Sequence, residues 1–280
     1  MESVSCPLCG EDKSTELWIK SGARSVRCSK CGLVYENPRF DSEELKKFYS
    51  SKDYYVSDDP DLSASGYKDY FAQCSPVLQR EYFRLLTHFN IKQGEIRYLD
   101  IGSGPGGIVQ LAGEAGWDAT GLELSSWAVH QGLQSGLRMI EGTLHDADIP
   151  DQSFDVISMF DVLEHLPYPI DYIREIYRIL SPGGMVLVET PNVEGFFAKH
   201  LYKENSDLVK PRAHICLYSP NTAERLFDSV PFSELNIATF PWCRQYTPGY
   251  FKSLVVSRLK KVGKPTQLTF NESMRVIAWK

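Results

Sequence analysis

Little in this 280-residue chain suits a membrane. No apolar run approaches the roughly 20 residues that a bilayer-spanning helix needs. The start Met1-Glu2-Ser3-Val4-Ser5 has neither the basic residues nor the apolar stretch of an export signal. These absences predict a soluble, cytoplasmic protein. Excess positive charge is lacking as well: the formal net charge is -6, which argues against a body built mainly to wrap nucleic acid. Low-complexity tracts are absent. With 42% hydrophobic residues the chain can still bury a full core, and its length suits one ordinary domain with a small appendage. Histidine is scarce, at six residues, and the seven cysteines are unevenly placed.

Four of those cysteines form the pattern Cys6-x2-Cys9-x18-Cys28-x2-Cys31, the spacing of a zinc ribbon in which an intervening hairpin brings two knuckles together. Each knuckle continues with a glycine, Gly10 or Gly32, which permits the positive φ that turns backbone N–H groups towards thiolates. Two disulfides are the alternative, and a reducing compartment disfavours them. Four thiolates saturate a tetrahedral Zn2+, so the expected role of the metal is structural. Cys74, Cys216 and Cys243 stand alone and read as buried packing residues. The ribbon mixes Lys13, Lys20, Arg24, Arg27 and Lys30 with Glu11, Asp12 and Glu16, so it lacks the one-sign face of a nucleic-acid binder and is expected to dock on the main domain.

Beyond the ribbon, Ser42-Glu43-Glu44-Leu45 reads as a capped helix start, and apolar spacing predicts a second helix over 77–89. From Ile96 onwards strands and helices alternate, the mark of a parallel sheet covered on both faces. Expected strands are Tyr98–Ile101, Asp118–Leu122, Arg138–Glu141, Phe154–Phe160 and Gly184–Glu189, with Ser233–Thr239 and Met274–Ala278 closing the sheet. Helices are expected to start near Gly106, Trp127, Pro169 and Ser219.

The segment Tyr98-Leu99-Asp100-Ile101-Gly102-Ser103-Gly104-Pro105-Gly106-Gly107 runs an apolar strand into a bare glycine loop, and Glu123 follows at a distance suited to a ribose diol. Such a loop suits an adenosine. Gly102-x-Gly104-x-x-Gly107 also satisfies the dinucleotide fingerprint, a weak signal when it stands alone. Asp100 shifts the balance: a pyrophosphate gains nothing from an anion beside it, whereas a sulfonium and its ammonium group do. The block from Asp155 to Leu166 then places polar groups at the carboxyl end of a strand, where ligands bind in open α/β sheets.

These motifs, occurring in order with Phe160-Asp161-Val162-Leu163-Glu164-His165 and Ser181-Pro182-Gly183-Gly184, resemble the class I S-adenosylmethionine-dependent methyltransferases, more narrowly a bacterial branch with an amino-terminal cysteine ribbon. The resemblance implies an α/β, Rossmann-like, seven-stranded, mostly parallel sheet with helices on both faces and an antiparallel last strand. By resemblance Asp100, Gly102 and Gly104 line the methionine part of S-adenosyl-L-methionine, Glu123 and the adjoining Leu124 serve the ribose side, Thr143 and Leu144 the adenine side, and Phe160 and Asp161 the methionine tail. The implied partner is a small-molecule acceptor, a sugar or a glycan- or lipid-linked intermediate. An NAD(P)-dependent oxidoreductase and a non-catalytic zinc-ribbon binding module stay open as rivals.

Methyl transfer from a sulfonium is an in-line displacement, and a histidine suits removal of the acceptor's proton. The two candidates are His165, after the fourth strand, and His214 in Ala213-His214-Ile215-Cys216-Leu217-Tyr218. In the sugar C-methyltransferases that this stretch resembles, a glutamate stands where this chain has Ala213, which favours O-methylation over C-methylation. Related enzymes also use the Glu-His after this strand structurally or to help hold a metal. Tyr54, Tyr55, Tyr67 and Tyr70 suit a cover over the cofactor. A basic amphipathic helix within 250–264 suits core packing first and peripheral membrane contact second. The expected organisation is a zinc ribbon over 1–40, a helical cap and linker over 41–95, and a catalytic domain over 96–280 with an acceptor-site insertion at 190–230.

Overall fold

The computed structural model describes residues 1–50, 75–89, 94–195, 200, 208–240 and 273–280. The lone Cys74 and Cys243, the four tyrosines between 53 and 70, and the basic helix at 250–264 lie outside the described residues.

Seven strands form the body: β4 (Arg97–Ile101), β5 (Asp118–Glu123), β6 (Met139–Glu141), β7 (Phe154–Phe160), β8 (Leu180–Pro191), β10 (Glu234–Phe240) and β11 (Ser273–Trp279). They make one sheet in the order β10-β11-β8-β7-β4-β5-β6. The five strands from β4 to β8 pair in parallel, and β11 inserts antiparallel between β8 and β10. This is the α/β architecture that the motif order implies. Strand order reverses at β4, whose neighbours β5 and β7 lead the chain in opposite directions, so a crevice opens at their carboxyl ends. β7 and β8 are buried through most of their length, as near-continuous apolar runs such as Met185-Val186-Leu187-Val188 require.

Helices α1 (Ser42–Ser50), α2 (Ser75–Thr87), α3 (Gly107–Glu114), α4 (Ser126–Gln134), α5 (Pro169–Ile179) and α6 (Pro220–Phe227) accompany the strands. The cap of α1 differs from the expected one. Asp41, not Ser42, holds the helix start: Glu44 N–H donates to Asp41 Oδ1 at 2.9 Å, and Asp41 N–H donates to Glu44 Oε2 at 3.0 Å. This is a capping box shifted one residue towards the amino terminus. α6 starts where expected, and a capping box holds it, with Ser219 and Thr222 bonding reciprocally.

The ribbon builds a second sheet from β1 (Ser14–Lys20), β2 (Ala23–Cys28) and β3 (Val34–Glu36). Its fourth strand comes from far along the chain. β9 (Cys216–Leu217) pairs antiparallel with β3, setting Val34 opposite Leu217 and Tyr35 opposite Cys216. The apolar core is continuous across the junction: Cys6, Leu33 and Tyr35 pack in one cluster with Ile215, Leu163 and the sheet residues Leu99 and Val188. Arg39, 2% exposed, fastens the end of the ribbon by donating to the Pro167 carbonyl at 2.7 Å and to Glu2 at 3.0 Å.

A shared core predicts shared unfolding. Leu33→Ala removes a fully buried side chain and is expected to cost about 2–5 kcal/mol. Circular dichroism and tryptophan fluorescence followed in denaturant should then move together to a lower midpoint. A separate early transition confined to the ribbon would contradict the shared core.

Candidate functional site

A cavity of about 450 Å3 opens at the switch point. Its floor is the loop from β4 to α3, where Gly102, Gly104 and Gly106 take φ values of 71°, 54° and 88°. Close approach adds to the backbone demand at Gly102, where a Cβ would stand 2.3 Å from Val162 Cγ2. Asp100, Gly102, Gly104, Glu123, Leu124, Thr143, Leu144, Phe160, Asp161 and His165 all line this cavity, so the residues singled out for the cofactor are brought together.

Two carboxylates flank the loop. The register sets Asp100 opposite Gly121 of β5 and Ser158 of β7. Ser158 Oγ donates to Asp100 Oδ1 at 2.5 Å, so Tyr98 must donate to Ser158, also at 2.5 Å. Burial outweighs these bonds and pushes the Asp100 carboxyl up to about 7, with the nearby Glu123 adding to the rise. Glu123 closes the loop instead. It accepts from Gly104 N–H at 2.9 Å through Oε2 and from Ser125 N–H at 2.8 Å through Oε1, tying the glycine loop to the start of α4. Each oxygen has a second lone pair, so hydroxyl donors can still be received. At the far edge Thr143 and Asp146 close a turn, with Thr143 Oγ1 donating to Asp146 at 2.9 Å. Leu144 beside them is fully buried.

At the end of β7, Phe160 stacks on Tyr82 of α2, with ring centroids 3.9 Å apart and planes 8° from parallel. Tyr82 in turn donates to Glu189 at 3.3 Å, and Arg275 donates to the other Glu189 oxygen at 2.6 Å. Asp161 follows with φ of 54°, a left-handed conformation costly for a non-glycine residue. Its N–H donates to the Glu189 carbonyl at 2.9 Å, which pins the bend.

The two histidines separate. His165, in the 3-10 turn Leu163–His165, forms part of the cavity wall. Its Nδ1 meets the Ala213 carbonyl at 2.8 Å and the Tyr49 hydroxyl at 2.8 Å, and Tyr49 also donates to Ala213 O at 2.9 Å. His214 is not among the residues lining the cavity. It lies behind His165, rings 4.9 Å apart, with Nδ1 bonded to the Leu208 carbonyl at 2.7 Å. Burial keeps both rings neutral, pushing His165 down to about 4 and His214 well below its ordinary value. Glu164 sits between them and the core, with Oε2 accepting from Thr190 at 2.9 Å and Oε1 3.9 Å from His214 Nε2. Burial pushes its carboxyl up to about 8. Glu164, His165 and His214 each offer a ligand atom within 4.8 Å of the others, a spacing a divalent ion could bridge.

The remaining metal-ligating set among the described residues is the ribbon's. Cys6 and Cys31 Sγ lie 3.5 Å apart, as do those of Cys9 and Cys28, and all four fall within 4.8 Å. A tetrahedron with Zn–S bonds of about 2.3 Å has edges of about 3.8 Å, so the set fits zinc. None of the four forms a disulfide.

Tyr49, Tyr82, Lys46 and Tyr168 also line the cavity and carry no signal in the sheet motifs. Tyr49 and Lys46 arrive on α1, and Tyr82 stands out only as one apolar position of α2.

A family model described as a methyltransferase domain matches residues 72–233, more than half of the chain. A ubiquinone biosynthesis O-methyltransferase of Aeromonas salmonicida is 31% identical over 104 residues, covering 34% of this chain and 43% of that protein. Its counterpart in Pseudomonas entomophila is 34% identical over 105 residues, covering 34% and 44%. The chain thus spans less than half the length of these curated relatives. Among solved structures, a SAM-dependent methyltransferase from Archaeoglobus fulgidus matches with a TM-score of 0.53 at 18% identity, over 73% of this chain and 93% of that one. A Haemonchus contortus phosphoethanolamine N-methyltransferase in complex with S-adenosyl-L-methionine matches with a TM-score of 0.54 at 18% identity, over 71% and 52%. At that identity the likeness is one of fold.

The glycine loop predicts a contrast. Gly102→Ala sets a Cβ against Val162 at positive φ and should destabilise by about 1–3 kcal/mol. Gly113→Ala, inside α3 with nothing within 4 Å, should stabilise by about 0.4–1 kcal/mol. Denaturant midpoints of the two variants should fall on opposite sides of the parent, and equal midpoints would remove the close-approach argument.

Proposed function

The chain belongs to the methyltransferase-domain family, as a class I S-adenosylmethionine-dependent methyltransferase, and from that premise we propose that it methylates a hydroxyl of a small-molecule acceptor. The observation that carries the cofactor half is the pair of carboxylates, Asp100 and Glu123, on either side of a glycine-rich loop at the switch point. A sulfonium and its ammonium group are matched by Asp100, a ribose diol by Glu123, and adenine by the turn of Thr143 and Leu144 beside Leu124. Phe160 and Asp161 border the methionine tail. Once bound, the cofactor supplies an electrophilic methyl group. In-line attack by an acceptor hydroxyl on that carbon would form the new O–C bond as the C–S bond broke, its electron pair staying on sulfur and the hydroxyl proton passing to a base at the cavity wall. The protein's share is to align the two reactants and exclude water.

The acceptor is assigned to the wall of His165, Tyr49, Tyr82 and Lys46. Of the two histidines, His165 is the one on that wall, so acceptor activation is assigned to it, and His214 acts from behind it. Oxygen is favoured over carbon on two grounds: Ala213 stands in place of the glutamate expected for C-methylation, and the curated relatives are named O-methyltransferases. A sugar or a glycan- or lipid-linked intermediate fits this reading. The four-cysteine set is assigned a structural Zn2+ held by Cys6, Cys9, Cys28 and Cys31, and its reduced thiols suit a cytoplasmic setting.

Titration calorimetry tests the cofactor directly. S-adenosylmethionine and S-adenosylhomocysteine should both bind and NAD should not; the reverse would establish the oxidoreductase rival. A pH series adds a signature. Burial pushes the Asp100 carboxyl up to about 7, and a cation needs its ionised form. Affinity for S-adenosylmethionine should therefore rise with pH up to about 7, approaching tenfold per unit at the acid end. In Asp100→Asn this slope should vanish, and a slope that survives assigns the titration elsewhere. His165→Ala should lower turnover by about 100-fold or more while leaving cofactor affinity intact.

A further inference from the structure

The ribbon does more than cap the fold, because the segment 208–218 that carries Ala213 and His214 takes its outer hydrogen bonds from it. Lys20 Nζ donates to the Val209 carbonyl at 2.7 Å, β3 pairs with β9, and Glu36 at the end of β3 bonds the segment twice. Glu36 Oε2 accepts from Arg212 N–H at 2.9 Å, and Glu36 N–H donates to the Ile215 carbonyl at 2.9 Å. Ala213 and His214 lie between these two anchors. Ala213 O is the atom that receives both Tyr49 Oη and His165 Nδ1.

We propose that Glu36 is a positioning residue for His165: by clamping the backbone on both sides of Ala213 and His214, it fixes the carbonyl that orients the His165 ring in the cavity wall. The role assigned to the ring rests on the methyl-transfer reading; the clamp itself does not. Backbone strain independently supports the clamp. Arg212 is held at φ of 67°, a left-handed conformation that a non-glycine residue keeps only when its surroundings over-determine it. The Glu36 carboxylate takes the N–H of that very residue. Glu36 is 3% exposed, so water does not readily replace the lost acceptor when the side chain is cut back. Released, Arg212 can relax towards negative φ, and the Ala213 carbonyl turns away from His165 with it.

Glu36 also links the ribbon to the reaction. The strand it ends, β3, begins three residues after Cys31, so metal held by the four thiolates would fix the same clamp from its other side. Cofactor binding is separate, since Asp100 and Glu123 sit on β4 and β5 of the other sheet.

The test uses the whole 280-residue chain, loaded with zinc, and two readouts that need no acceptor. Proton–nitrogen NMR of ring-labelled histidine, assigned with His165→Gln, reports the hydrogen-bonded Nδ1 proton of His165. Calorimetry with S-adenosylhomocysteine reports the cofactor site. In Glu36→Ala the Nδ1 proton resonance should be lost to solvent exchange while S-adenosylhomocysteine affinity stays at the parent value. Glu36→Gln, whose amide oxygen can replace Oε2, should retain the resonance. Arg212→Gly in the Glu36→Ala background should restore part of it, because glycine keeps positive φ at little cost. An unaltered resonance in Glu36→Ala overturns the clamp, and so does its loss in Glu36→Gln. Should Glu36→Ala fail to fold, Lys20→Met, which removes the Nζ donor to the Val209 carbonyl, takes its place; broadening of the His165 signal supports the ribbon as scaffold and an unchanged signal overturns it. Failure of the parent to bind S-adenosylhomocysteine would instead count against the methyl-transfer reading alone.

Discussion

The register of three parallel strands is the constraint from which the site follows. With β4 between β5 and β7, Asp100 has Gly121 on one side and Ser158 on the other. The glycine is needed because a Cβ there would stand 2.6 Å from Ser103 Oγ and 2.8 Å from Met139 Sδ, closing the loop that the cavity uses as its floor. The serine is needed because a buried carboxylate without a donor would be held neutral more firmly still. A slip of one residue would point Asp100 to the opposite face of the sheet and remove the anion from the crevice.

Around that register the protein stores electrostatic asymmetry. Asp100, Glu164 and Glu189 are all buried and have carboxyls raised by loss of water, while the half-buried His165 and His214 are held neutral. Of these three carboxyls, Glu189 has a buried cationic partner at hydrogen-bond distance, Arg275, whose guanidinium also lies 4.1 Å from the centre of the Phe240 ring. That pair serves the cavity indirectly. Glu189 fixes Tyr82 through its side chain and Asp161 through its backbone, so the aromatic stack and the left-handed bend at the mouth share one anchor. A cation entering this field meets carboxylates that ionise more readily in its presence, a gain in the low dielectric of a buried crevice.

The sequence made legible whatever is local. Strand positions followed from apolar runs, the loop from its glycines, the ribbon from its knuckles and the start of α6 from Ser219 and Thr222. Long-range contacts left no such mark. β9 is two residues long, and what makes it a strand is the edge of β3, more than 170 positions away in sequence. Tyr49 and Glu36 read as ordinary polar or aromatic residues outside the sheet motifs, yet they bond to the segment beside His214 from opposite sides. Even the cap of α1 falls one residue before the expected one, because Asp41 and Ser42 are both good caps and only the reciprocal bond with Glu44 chooses between them.

The fold separates the two candidate histidines, with His165 on the cavity wall and His214 behind it. In sequence His214 stands in Ala213-His214-Ile215-Cys216-Leu217-Tyr218, a stretch that by resemblance carries a base. In the fold, pairing of β9 with the ribbon draws that stretch inward, and His165 takes the cavity side. His214 then has one nitrogen committed to Leu208 O and the other turned to Glu164, a buried partner. Neither nitrogen of an imidazole so placed faces the cavity. It can hold the neighbouring ring by edge-to-face packing at 76° and keep Glu164 from facing apolar atoms alone. The arrangement is layered, with His165 in front, His214 and Glu164 behind, and the ribbon strand outside them.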